Sequence, residues 1–93
     1  MNEIEIFYLK GCPYCDSARQ AVRELLAETP AYGALSLRWI EENEEAELAS
    51  SRDYYRVPSL FFEGDKLYEC APLQGYEAIK AHIRAAFDRV LTA

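Results

Sequence analysis

Cys12 and Cys15 stand three residues apart in the tetrapeptide Cys12-Pro13-Tyr14-Cys15. Two thiols at that spacing can close a disulfide ring or share a metal ion, and the neighbouring residues weigh between the two. Upstream lies an apolar run (Ile4, Ile6, Phe7, Tyr8, Leu9), and downstream a segment with helical spacing (Ala18, Ala21, Val22, Leu25, Leu26). The pair therefore sits at a strand-to-helix junction. The N–H groups of a first helical turn have no intrahelical partner, and together with the helix dipole they favour an anion beside them. Cys12, at about the N-cap, is placed to be a thiolate. Pro13 occupies the first helical position, where its missing N–H costs nothing, and Cys15 falls one turn along on the same face. This pattern reads as a redox dithiol. A zinc site needs about four ligands, and beyond the pair the chain offers only Cys70 and His82. No metal is expected, and His82, between Ala81 and Ile83, reads as a helix-face residue.

The elements that must position this pair follow from periodicity. Glu3 to Leu9 is β-branched and aromatic and ends at Lys10-Gly11, which predicts a buried strand and a short loop. Apolar residues at a period near 3.6 predict a helix ending at Thr29-Pro30, because a residue before proline is pushed out of the α region. Leu35 to Glu41 alternates as a second strand, so the first forty residues form a right-handed βαβ unit with parallel strands. Glu42 to Asp53 predicts a short, weakly anchored helix whose acids (Glu41, Glu42, Glu44, Glu45, Glu47) form a solvated face. Arg56 to Phe62 and Lys66 to Glu69, separated by Glu63-Gly64-Asp65, predict an antiparallel hairpin. Tyr76, Ile79, Ile83, Phe87, Val90 and Leu91 predict a C-terminal helix beginning at about Leu73.

The totals agree with a small single-domain protein spanning 1–93. Ninety-three residues, 51% of them hydrophobic, suffice for one modest core. A net charge of −6 leaves no basic stripe for phosphates, so nucleic acid is not an expected partner. The acidic N-terminal run is too short for a signal peptide, and no apolar stretch approaches the roughly 20 residues of a membrane span. A cytoplasmic, monomeric protein is expected. In a reducing compartment such a thiol pair is catalytic rather than structural. Cys70, alone at a strand end, reads as a small buried hydrophobe.

The order β-α-β-α-β-β-α, with Cys12-Pro13-Tyr14-Cys15 at the first junction and Val57-Pro58 at the start of the third strand, resembles the thioredoxin superfold and within it the glutaredoxins. The resemblance covers nearly the whole chain. It implies an α/β fold with a four-stranded mixed sheet flanked by three helices, and a thiol–disulfide oxidoreductase in which Cys12 attacks and Cys15 resolves. It further implies that Pro58 is cis and lies beside the thiols, where the backbone of Val57 pairs with a peptide or thiol substrate. Tyr14, left exposed by the motif, is expected to touch substrate. Lys10 either favours the Cys12 anion or attracts a substrate carboxylate, or is a solvated loop residue. Arg56 is the other cation expected to border the groove.

Glutaredoxins that use glutathione carry a cation three residues before the first cysteine, where this chain has Leu9. They also have a glycine pair and then an aspartate after the fourth strand, where it has Tyr68-Glu69-Cys70-Ala71-Pro72. No bound cofactor is therefore expected, and glutathione is a doubtful reductant. The expected partners are a disulfide-bearing protein or small molecule and a reductase or thiol donor. The rival reading, an iron–sulfur cluster carrier using Cys12 and glutathione, is disfavoured by Pro13, which cluster-binding relatives usually replace.

Overall fold

In the computed structural model, which describes residues 3–93, the alternation of apolar residues in strand β1 (Glu3–Tyr8) builds two separate cores. Ile4 and Ile6 point to one face of the sheet. There they join Ala18, Ala21, Val22 and Leu25 of helix α1 (Pro13–Glu28) and Ile79, Ile83, Phe87 and Val90 of helix α3 (Tyr76–Leu91). Phe7 points to the other face, where it meets Ile40 and Phe61 under Leu48, Tyr54 and Val57. Such alternation is what period-2 geometry demands of a strand covered on both sides.

β1 is central in a four-stranded sheet of order β2-β1-β3-β4. It pairs in parallel with β2 (Ser36–Glu41) and antiparallel with β3 (Ser59–Phe62), which pairs antiparallel with β4 (Asp65–Glu69). The β3–β4 turn has positive φ at Glu63 (51°) and Gly64 (87°), the backbone of a two-residue type I′ hairpin turn. The expected fold class and element order are those observed.

Boundaries differ where side chains capture backbone groups. The Glu42–Asp53 segment is helical only over α2 (Ala46–Ser50). The buried Glu41 carboxylate accepts the N–H of Asn43 (2.6 Å) and of Glu44 (3.3 Å), holding residues 42–45 in a turn before any helix begins. Pro30–Ala34 is a 3-10 turn rather than a plain connection, so β2 starts at Ser36. α3 starts at Tyr76 rather than Leu73, because Leu73 has φ of 66°, which no right-handed helix accommodates. The predicted third strand loses Arg56 to Pro58 to an irregular loop.

α1 and α3 are clamped along their exposed edges. Lys80 Nζ donates to Glu24 (2.9 Å) and Glu28 (2.8 Å), and the Tyr76 hydroxyl donates to Glu24. That hydroxyl, then Lys80 and Gln20, hold the Glu24 carboxyl down at about 2, and Lys80 lowers Glu28. A carboxyl whose folded value lies below its unfolded one adds stability above the unfolded value and loses it as pH falls through the folded one. The urea midpoint is therefore expected to drop between pH 6 and pH 3. Glu24→Gln should shrink that drop, and an unchanged difference in the variant would show that the clamp adds nothing to stability.

Among the described residues no helix is long and apolar enough to cross a membrane.

Candidate active site

α1 begins where expected. Cys12 is the N-cap, with extended backbone (φ −87°, ψ 120°), and Pro13 is the first helical residue. The Cys12 side chain is half-exposed, whereas Cys15, one turn in, is only 2% exposed. All three cysteines are free thiols. Burial pushes the Cys15 thiol up to about 12; a hydrogen bond with the Leu9 backbone opposes the rise, and a hydrogen bond and charge from Cys12 add to it. Cys15 is thus held as the neutral thiol at pH 7. Iodoacetamide at neutral pH is accordingly expected to label Cys12 well before Cys15, read by peptide mass mapping. Labelling of Cys15 as fast as Cys12 would show that this assignment of roles is wrong.

At Tyr14, which stands between the two cysteines in sequence, lies an open groove of about 250 Å³ lined also by Tyr55, Arg56, Val57, Cys70, Ala71 and Pro72. Three stretches distant in sequence converge here, and particular hydrogen bonds hold them. The Val57-Pro58 peptide is cis, and the Pro58 carbonyl accepts the Cys70 N–H at 3.0 Å. The Glu69 carboxylate accepts the N–H groups of Tyr55 (2.9 Å) and Arg56 (2.8 Å), while its other oxygen takes Lys66 Nζ at 2.7 Å. Three donors keep that carboxyl below the usual carboxylate range although burial works against them. Glu69 thus fixes the Tyr55–Val57 loop over the end of β4. Sequence reasoning about pairwise spacing had no signal for this link.

The predicted site residues divide. Tyr14, Arg56 and Val57 line the groove; Pro13 precedes Tyr14 at the start of α1, and Pro58, buried, follows Val57 through the cis peptide. Tyr14 is half-buried rather than exposed: it lines the groove while packing against the α1–α3 core, and its hydroxyl accepts the Leu73 N–H at 3.1 Å. Lys10 turns away. Its ammonium pairs with Glu44 and its N–H donates to Glu41 (3.1 Å), and the hydrogen bond to Glu44 raises its pKa. Lys10 is thus held by the acidic turn after β2 and does not line the groove.

Cys70 is 2% exposed, as a small buried hydrophobe should be, yet it also forms part of the groove floor. Burial raises its pKa, and a hydrogen bond with Tyr68 opposes the rise. Two features were missed entirely. Tyr55, which lines the groove, and Leu73, which follows the lining residues Ala71 and Pro72, stand 91% and 92% exposed, and neither residue belongs to any motif. His82 is exposed on α3 and stacks on Tyr68 with ring centroids 4.9 Å apart. Among the described residues no group of three or more His, Cys, Asp or Glu side chains is placed to hold a metal ion.

No family model matches the chain. A thioredoxin from Methanocaldococcus jannaschii is 30% identical to it over 83 residues, covering 87% of this chain and 95% of the relative. A mutant thioredoxin from Halobacterium salinarum NRC-1 superposes with a TM-score of 0.58 at 26% identity, covering 91% of this chain and 74% of that one. Thioredoxin 1 from Thermosipho africanus matches in fold, with a TM-score of 0.59 at 12% identity over 94% and 96% of the two chains. A half-exposed cysteine capping α1, a buried partner one turn on, and relatives spanning nearly the whole length agree. The chain belongs to the thioredoxin superfamily and is a thiol–disulfide oxidoreductase of the thioredoxin type.

Proposed function

We propose that the protein reduces disulfides through a Cys12/Cys15 dithiol and draws its electrons from a dithiol reductant or a reductase rather than from glutathione. The observation that carries the reading is the division between the thiols. Cys12 is reachable at a helix start that favours an anion, and Cys15 is buried and held protonated beside it. The Cys12 thiolate attacks one sulfur of a substrate disulfide; the substrate S–S bond breaks, a Cys12–substrate disulfide forms, and the other substrate sulfur leaves as a thiolate that takes up a proton. With its negative charge consumed, Cys12 no longer adds to the rise at Cys15. Cys15 then gives up its proton and attacks Cys12 Sγ, releasing the second substrate thiol and leaving a Cys12–Cys15 disulfide. Two electrons from the reductant restore the pair. The backbone of Val57, bordering the groove, suits an extended substrate segment.

The preference against glutathione rests on the far end of the groove. A tripeptide there needs free backbone N–H groups and an acid for its γ-glutamyl end. Instead, the Ala71 N–H is taken by Gln74 Oε1 (3.1 Å) and the Leu73 N–H by Tyr14, and Ala71 and Pro72 bring no acid. A missing charge-assisted hydrogen bond costs about 1.5–3 kcal/mol, so the want of one such bond weakens binding about tenfold to a hundredfold. Reduction of insulin and of a small mixed disulfide is expected to run well with NADPH plus thioredoxin reductase, followed by NADPH loss, or with dithiothreitol, followed by insulin turbidity. It should run poorly with glutathione plus glutathione reductase. Saturation by glutathione at low millimolar concentration would overturn the preference. Visible absorbance in freshly purified protein, with iron bound, would favour a cluster carrier instead.

A further inference from the structure

We propose that Leu73 and Arg56 select the substrate: a polypeptide disulfide whose attacked cysteine lies close to a bulky apolar residue and to an acidic one. This inference rests on the oxidoreductase reading above and names the substrate class of the same groove.

Only three large hydrophobic side chains among the described residues are exposed; of these Tyr55 lines the groove, and Leu73 lies just outside its lining. The third, Leu26, is 37% exposed on the far part of α1. Leu73 directly follows the lining residues Ala71 and Pro72, and its N–H is bonded to Tyr14, which lies between the two cysteines. Its φ of 66° is left-handed backbone, where a leucine Cβ is crowded and glycine or asparagine sits more easily. Nonglycine residues kept in this region are held there by their surroundings, and they concentrate at ligand-binding sites.

The surroundings here are specific. Gln74 Oε1 accepts both the Ala71 N–H (3.1 Å) and the Tyr68 hydroxyl (2.6 Å), and Tyr14 accepts the Leu73 N–H. The turn is thus pinned with its leucine in water, where an apolar side chain gains free energy only when something covers it. On the opposite rim the Tyr55 and Arg56 N–H groups are pinned by Glu69. Both rims are therefore set before a substrate arrives, which lowers the ordering cost of binding.

The occupant follows from shape and charge. A small disulfide confined to this groove of about 250 Å³ would touch Tyr55 only along the lining and leave Leu73, which is outside it, in water, so neither exposed side chain would be fully covered. A chain continuing on both sides of its cysteine covers them. Arg56 is exposed and has no carboxylate partner among the described residues. On a protein of net charge −6, it is the cation that borders the groove and complements an acidic side chain.

The test uses short peptides containing one cysteine carried as a coloured 2-nitro-5-thiobenzoate mixed disulfide, with the 2-mercaptoethanol mixed disulfide as the small probe. Stopped-flow rates are measured with the reduced full-length protein. A peptide with leucine and aspartate next to its cysteine is expected to react about tenfold faster than one flanked by serines. Leu73→Asn suits the left-handed backbone and removes only the apolar cover, and Arg56→Gln removes only the charge. Each should cut that preference to about threefold or less, with Tm kept or, for Leu73→Asn, raised. Equal rates for the two peptides in the wild-type protein, or an unchanged preference in both variants, would overturn the inference while leaving the oxidoreductase reading intact. Failure to react with any peptide and with the small probe would overturn both.

Discussion

Cys15→Ser protein mixed with a protein disulfide should accumulate as a covalent adduct on Cys12, with multiple turnover lost by several orders of magnitude. The attacking thiol keeps its helix-start position and its exposure in this variant, so the first exchange proceeds. The resolving thiol, which lies one turn away and is buried against the same helix, is gone. No other described thiol is well placed to substitute. Cys70 is buried, and its sulfur lies 3.5 Å from the Ala71 carbonyl oxygen. Non-reducing electrophoresis and mass mapping would show the adduct and its position. Cys12→Ser should form no adduct at all. An adduct mapped to Cys70 in either variant, or normal turnover in Cys15→Ser, would sink this division of labour.

The second large effect is on stability. Phe87 is fully buried at the α1–α3 interface and meets Tyr32 edge-on at 5.3 Å, while the Tyr32 hydroxyl donates to the neighbouring Asp88 at 2.6 Å. Phe87→Ala removes the transferred apolar area, leaves a cavity, and strips the aromatic partner from Tyr32, for a loss of about 3–5 kcal/mol. A domain of this size is stable by only about 5–15 kcal/mol in total. The urea midpoint should therefore fall by about a fifth or more, or the variant should fail to fold at all. A loss below about 1 kcal/mol would mean that α3 is not the second wall of the core. Because α1 carries both thiols on its first turn, this packing also sets how firmly the dithiol is held.

How far each feature was legible depended on how far its cause reached along the chain. The dithiol, the helix start at Pro13, the strand alternation of Ile4, Ile6 and Phe7, and the hairpin turn at Glu63-Gly64 are set by rules acting within one turn or one strand. These needed no coordinates. That β1 is buried follows from its apolar run, but its register against β2 and β3 and the division of its apolar residues between two cores came only with the fold. Lys10 was a different matter. Spacing placed it near Cys12, but whether its ammonium meets a thiolate, a substrate or solvent depends on the turn built by Glu41 and Glu44, more than thirty residues away. The same carboxylate, Glu41, explains why the predicted second helix shortens to Ala46–Ser50.

By itself the sequence determined where the chemistry can sit: two thiols one turn apart, the first of them at a helix start, and the elements that carry them, since these follow from helix-end geometry and hydrophobic period along a local stretch. Only the tertiary structure decided what surrounds that chemistry. Tyr14 bonds to Leu73 across 59 positions, Glu69 holds the backbone of Tyr55 and Arg56, and Cys70 rests its N–H on Pro58. The groove and its exposed rims exist because three distant segments are brought together by hydrogen bonds whose partners no local pattern encodes. Such bonds depend on where the folded chain places each donor and acceptor, not on their distance in sequence.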